Sequence, residues 1–94
     1  MINENQRMII LSLLKEDSGY AINEDVLQSA LEVAGGYKVS SDKLRTELGW
    51  LKEQGLITLE TLRQLWIAKI TRRGLDVASG RTDVPGVQRP RPEA

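Results

Sequence analysis

Two hydrophobic periods divide the middle of the chain into a helix and a hairpin. Three leucines at spacings of four and three residues project from one side of a helix predicted for residues 41–54; they are Leu44, Leu48 and Leu51. Ser40 is suited to cap the start of this helix, because its hydroxyl can accept a hydrogen bond from a free amide in the first turn. Beyond Gly55 the apolar residues recur at every second position, which predicts strands over 56–60 and 65–70.

The same kind of pattern predicts further helices on both sides of this unit. A stripe of Ile and Leu residues predicts a first helix that ends near residue 15. Asn23 is placed to cap a second helix, which the paired glycines at 35–36 end. Between these helices, residues 20–22 are too few to predict more than an extended bridge. After the hairpin, Thr71 can cap a short last helix that reaches about residue 79.

The composition of the chain changes at residue 81. All three prolines fall in the last ten residues, among Arg, Gly and Glu. Such a segment has little apolar surface to bury, so residues 81–94 are predicted to form a flexible tail containing Arg and Pro. With 94 residues the chain has room for one domain, which is expected to comprise residues 1–80.

Composition limits the possible chemistry. The chain has no Cys and no His, so we expect neither a metal site nor a nucleophilic triad, and no cofactor or catalytic residue is predicted. The protein is therefore not expected to be an enzyme. The lack of Cys is typical of a reducing cytoplasm, and no apolar run approaches the roughly 20 residues that cross a membrane. We expect a cytoplasmic protein without a membrane partner.

The charge is balanced overall but unevenly distributed. Residues 1–54 hold 6 Lys and Arg against 9 Asp and Glu, a net of −3, whereas residues 55–94 hold 7 against 4, a net of +3. Proteins that bind nucleic acid usually carry a larger excess of basic residues than this chain does. The charge balance therefore argues mildly against nucleic-acid binding.

The order of the elements nevertheless favours it. Three helices followed directly by a hairpin describe a winged helix-turn-helix, so the predicted fold class is α+β and mostly α, with a two-stranded wing and a short C-terminal helix. The first two helices would bury the leucines of the third and leave its opposite side exposed. An exposed helix fits the major groove of B-DNA, which is about 12 Å wide, and the wing at 56–70 can then contact the neighbouring backbone.

The residues also carry a family resemblance. The capping serine with its three leucines, followed by Gly55-Leu56-Ile57 and by the run 70–74 (Ile-Thr-Arg-Arg-Gly), resembles winged helix-turn-helix regulators of the ArsR and MarR type. The whole chain, including Trp50-Leu51, the run 73–78 and the run 84–87, is similar to small ArsR-like winged-helix proteins of Mu-like phages and prophages. Metal sensing by Cys or His, known in the ArsR type, is not carried over because this chain has neither residue.

Six residues are candidates for contact with double-stranded DNA: Ser41, Lys43, Arg45, Thr46, Gly49 and Arg63. Arg45 is the best of them, since a guanidinium can pair with the two acceptors of guanine. Gly49 would permit close approach of the backbone, and Arg63 at the tip of the wing could meet a phosphate. The alternative for Arg45 and Lys43 is that they only solvate a helix face.

Two functions follow from this pattern. The first is a small phage or prophage DNA-binding protein, a transcriptional regulator that acts as a homodimer, with the first helix and the last segment as pairing surfaces by analogy with the families it resembles. The second is a winged-helix module that binds another phage protein in an assembly or packaging complex and does not bind DNA. The exposed Leu62 and Leu65, the neutral third helix and the tail containing Arg and Pro fit the second function.

Overall fold

The computed structural model of the chain describes residues 2–90. Within them it forms four helices and one three-stranded antiparallel sheet. In chain order these are α1 (Ile2–Glu16), β1 (Ala21–Asn23), α2 (Glu24–Gly35), α3 (Ser41–Glu53), β2 (Ile57–Leu62), β3 (Leu65–Ile70) and α4 (Arg72–Ala78).

The three predicted N-caps are confirmed. Each capping side chain accepts a hydrogen bond from the backbone amide three residues later, which satisfies one of the free donors of the first helical turn. The bonds run from Val26 N to Asn23 Oδ1 (2.9 Å), from Lys43 N to Ser40 Oγ (3.0 Å) and from Gly74 N to Thr71 Oγ1 (3.0 Å).

The sheet has the strand order β1-β3-β2, so the hairpin supplies the central strand. The segment predicted as an extended bridge is a strand, because β1 pairs with residues 67–69 of β3. Strand β2 starts one residue later than predicted and continues to Leu62, opposite Leu65. The intervening turn has only two residues, Arg63 and Gln64, with φ of 51° and 69°. Two positive φ values are typical of the tight type I′ hairpin turn, whose twist matches the strands.

The predicted leucine ridge lies in the core: Leu44, Leu48 and Leu51 are 1%, 0% and 0% exposed. Buried residues of α1, α2, β2, β3 and α4 complete the same hydrophobic cluster. On β3, Ala68 and Ile70 point into the core, whereas Trp66 on the same face is only half-buried. The ridge therefore fixes which side of α3 faces outward.

The prediction of a flexible tail from residue 81 differs from the structure over residues 81–90. Val84 and Val87 of this segment are buried within the core cluster. The segment is also hydrogen-bonded to α1, with Gln88 N donating to Glu4 O at 3.1 Å. A turn in which Val87 N donates to Val84 O (3.1 Å) directs both valines inward. The Pro and Arg content of the segment gave no indication of this turn. Residues 91–94 lie outside the described part of the chain.

Candidate nucleic-acid interface

The side of α3 opposite the leucine ridge is open. Asp42, Thr46 and Glu53 on this side are exposed. At Gly49, in the middle of the helix, an added Cβ would have no neighbouring atom within 4 Å. In the part of the chain that the structure describes, nothing covers this point of the helix. We refer to the side formed by Asp42, Thr46, Gly49 and Glu53 as the open face of α3.

A groove of about 420 Å³ separates the open face from the wing. Its walls combine the last turns of the helix with the inner side of the hairpin, namely Gly49, Lys52, Glu53, Leu59, Thr61 and Trp66. The helix and the hairpin therefore present a continuous concave surface.

Arg45 does not extend freely from this surface. Its Nε donates to Glu24 Oε1 at 2.8 Å and its Nη2 to Glu24 Oε2 at 2.7 Å, a two-pronged ion pair between α3 and the first residue of α2. The same Nη2 donates to Gln64 O in the hairpin turn at 2.9 Å. The guanidinium also lies over the ring of Trp66, with Cζ 4.5 Å from the ring centroid. Arg45 thus holds three elements together.

The Glu24 carboxylate is the centre of this arrangement. Its side chain is only 6% exposed, and Oε2 accepts a further hydrogen bond from Trp66 N at 2.6 Å. The hydrogen bonds from Arg45 lower the pKa of Glu24 below its ordinary value, an effect that burial opposes and that the Trp66 amide reinforces. The carboxylate is therefore held in its charged form.

Lys43 is also engaged within the protein. Its Nζ donates to Glu47 Oε2 and to Asn3 Oδ1, both at 2.8 Å. Glu47 is buried and is paired in addition with Arg7 of α1. Burial raises the pKa of Glu47, but the hydrogen bonds from Lys43 and Arg7 outweigh it, so the pKa lies below its ordinary value.

The other predicted contact residues are more open. Ser41 is exposed, with Oγ 3.5 Å from Gln28 Oε1. The Thr46 hydroxyl donates to Asp42 O at 2.9 Å, one turn back along the helix. Arg63 is exposed at the tip of the wing and has no ion pair within residues 2–90. Of the six residues, Lys43 and Arg45 are thus already bonded within the protein, and Gly49 is the one that lines the groove.

Other kinds of site find less support in the described residues. No helix within residues 2–90 is long and apolar enough to span a membrane. Over the same range, no three His, Cys, Asp or Glu side chains are grouped so that they could hold a metal ion.

The buried carboxylates are the features that the sequence did not predict. Glu24 and Glu47 are both buried, although acidic residues at helix positions are usually exposed.

Comparison with known proteins supplies the family. No family model matches the chain. The uncharacterized protein gp26 of Escherichia phage Mu is 45% identical over 94 residues, covering 100% of this chain and 96% of its own length. The chain belongs to the family of phage Mu gp26. An uncharacterized protein of Haemophilus influenzae (strain Rd) is 38% identical over 91 residues, covering 90% of this chain and 87% of its own length. The predicted resemblance to proteins of Mu-like phages is confirmed.

Solved structures show a shared fold. Chains from the complex structures of hsRosR-S1 and hsRosR-S4 superpose with a TM-score of 0.69 and 24% identity, over 78% of this chain. The match spans 63% and 62% of those chains. At this level of identity the likeness concerns the fold alone, and the predicted mixed α+β class is confirmed. Membership of the ArsR or MarR type remains a prediction.

Proposed function

We propose that the chain is a phage-type winged-helix DNA-binding protein that regulates transcription. In this proposal α3 enters the major groove with its open face, and the wing contacts the adjacent backbone. The observation that carries the proposal is the uncovered side of α3 next to a projecting hairpin. The fold likeness to the winged-helix regulator RosR supports it.

We give the six candidate residues different roles according to their contacts. We assign close approach to the base edges to Thr46 and Gly49, which lie on the open face. Ser41 lies in the first turn of α3, where backbone amides favour a phosphate. Arg63 is assigned to a phosphate beside the wing. Lys43 and Arg45 are assigned no direct contact with DNA, since their donors already bond Glu47 and Glu24.

One copy of α3 would read only a few base pairs, so the proposal includes a homodimer. Two-fold pairing doubles the site, and the distance between the two α3 helices sets the spacing of the half-sites.

Salt-dependent binding to duplex DNA tests the proposal. A fluorescently labelled duplex is titrated with the protein in anisotropy measurements at several salt concentrations. The expected result is an affinity that falls linearly with salt on a double logarithmic scale. Arg63→Ala should weaken binding and reduce the slope by about 1, the loss expected for one phosphate contact.

Arg89→Ala is the matched control. Arg89 is also an exposed arginine, 77% exposed at the side chain, but it lies in the segment after α4 and pairs only with Asp83 within residues 2–90. This variant should bind DNA like the unaltered protein. If the protein fails to bind duplex DNA even at low salt, DNA binding is refuted.

A second function is favoured by one specific observation: the basic residues that flank the open face are neutralised internally. Lys43 and Arg45 bond buried glutamates, and Leu62 is 61% exposed near the tip of the wing. Both features suit a protein partner, for example in a phage assembly or packaging complex. Co-purification of an identified phage protein from a nuclease-treated lysate, abolished by Leu62→Asp, would support this function. A protein recovered alone would count against it.

A further inference from the structure

The first step concerns the end of the short strand β1. Ile70 N donates to Tyr20 O at 3.0 Å, and the register pairs Ile22 with Ala68. Hydrogen-bonded pairs alternate along an antiparallel ladder, so the next such position would join Glu24 to Trp66. At Glu24 the main chain turns into α2. The Glu24 side chain accepts the hydrogen bond instead, from Trp66 N to Oε2 at 2.6 Å. The carboxylate therefore replaces one rung of the sheet.

The second step concerns the part of the wing beyond this rung. There the hairpin has only two strands, β2 and β3, because β1 has ended. A two-stranded ribbon is marginally stable in water by itself. Arg45 bonds the Gln64 carbonyl in the turn and covers one face of Trp66. Through Glu24 and Arg45, the distal wing is tied to α2 and α3 at the same time.

The third step concerns which hydrogen-bond donors of Arg45 remain for a ligand. A guanidinium has five N–H groups, one on Nε and two on each terminal nitrogen. Nε and Nη2 are bonded to Glu24, and Nη2 is also bonded to Gln64 O. Only Nη1 has no bond to these groups, whereas reading a guanine with two parallel bonds needs two adjacent nitrogens. Arg45 in this position cannot make that contact.

We infer that Glu24 and Arg45 form a latch that sets the orientation of the wing on α3, and that both are positioning residues. Arg45, the strongest candidate for base contact in the sequence, acts through the wing. The consequence for DNA affinity rests on the proposed function, but the orientation of the wing is measurable without DNA.

Amide exchange measured by NMR on the full chain tests the latch directly. Glu24→Gln keeps an acceptor oxygen for the Trp66 amide but removes the ion pair. It should accelerate exchange of the Trp66 amide by roughly tenfold or more, since a hydrogen bond to a charged group is lost. The Leu48 amide in the core exchanges on global unfolding, so its acceleration measures the loss of overall stability, and a larger acceleration at Trp66 than at Leu48 identifies a local release of the wing. Unchanged exchange at Trp66 would overturn the latch.

Arg45→Lys is the second, milder variant, because lysine keeps the charge but cannot form the two-pronged bond. It should accelerate the same amide as Glu24→Gln does, and by more than it accelerates that of Leu48. If lysine fully restores protection at Trp66, charge alone is sufficient and the two-pronged latch is wrong.

DNA affinity then distinguishes positioning from base contact. If both residues position the wing, Glu24→Gln and Arg45→Ala should weaken binding by similar factors, and the double variant should be no weaker than either. If Arg45 reads a base, Glu24→Gln should leave binding unchanged or tighten it by releasing the arginine, which would refute the inference. Should the unaltered protein bind no DNA, the proposed function fails while the exchange experiment still decides the latch.

Discussion

Two glycines in helices lead to opposite expectations for the same substitution. At Gly49 of α3 an added methyl group would point into open space. At Gly74 of α4 it would lie 2.1 Å from Leu56 O and 2.6 Å from Ile70 Cγ1. Replacing each by alanine therefore tests both the open face of α3 and the packing of α4 against the start of the wing.

The magnitudes follow from propensity and from contact distance. Alanine is favoured over glycine inside a helix by roughly 0.5–1 kcal/mol, so Gly49→Ala should stabilise the protein by about that amount. At Gly74 the same gain is opposed by a backbone clash, since Leu56 O also accepts Thr71 N at 3.0 Å and is not free to move. Overpacking of this kind costs roughly 1–3 kcal/mol. With a 2.1 Å contact we expect the upper end, a net loss of about 2 kcal/mol.

Thermal unfolding followed by circular dichroism measures both effects. In a domain of this size, about 1 kcal/mol corresponds to a Tm shift of roughly 4–8 °C. Gly49→Ala should raise the Tm by about 2–8 °C, and Gly74→Ala should lower it by about 8–16 °C. A lower Tm for Gly49→Ala would mean that the open face is covered. An unchanged Tm for Gly74→Ala would mean that α4 does not lie against residue 56. Under the proposed function, Gly49→Ala should weaken DNA binding although it stabilises the fold, because the added methyl keeps the backbone away from DNA.

Two further predictions concern stability. Leu48→Ala removes a fully buried side chain from the ridge of α3 and should reduce the free energy of unfolding by roughly 2–5 kcal/mol, measured by urea denaturation; a loss near zero would contradict the helix phase. Glu24 and Glu47 have folded-state pKa values below their ordinary values, so the native state binds fewer protons than the unfolded state in acid. Their contribution to stability is complete above the unfolded pKa near 4.5 and is lost as the pH falls through the folded-state pKa. The Tm should therefore drop steeply below about pH 4.5, less so in Glu24→Gln, and equal slopes for both proteins would refute the assignment.

Local signals account for the parts of the fold that the sequence predicted. The caps at Asn23, Ser40 and Thr71 act within three residues of the amides they bond, and the leucine ridge is a property of one helix. Strand β1 was not predicted, because three residues carry no period of their own. Those residues become a strand only through pairing with residues 67–69, more than 40 positions away along the chain.

The candidate site was predictable in outline but not in its bonding. The side of α3 that faces outward follows from the leucines. The partners of Arg45 do not, because Glu24 and Gln64 are 21 and 19 residues away in sequence and approach only when α2 and the wing pack against α3. An acidic residue in a first helical turn has a sufficient local explanation in the helix dipole, so the burial of Glu24 had no separate signal.

Both tryptophans take part in the same arrangement of side chains, which holds peripheral segments against the body of this chain of zero net charge. Each tryptophan is covered by an arginine whose guanidinium bonds a buried glutamate; one set is Arg7, Glu47 and Trp50, and the other is Arg45, Glu24 and Trp66. Each arginine also donates to a backbone carbonyl of a segment that packs from outside, Gly86 after α4 and Gln64 in the wing. Each of these arginine charges is balanced by the glutamate that it bonds. The overall balance of acidic and basic residues is therefore a poor guide to what the protein binds, and the exposed charges that line the groove are Lys52 and Glu53.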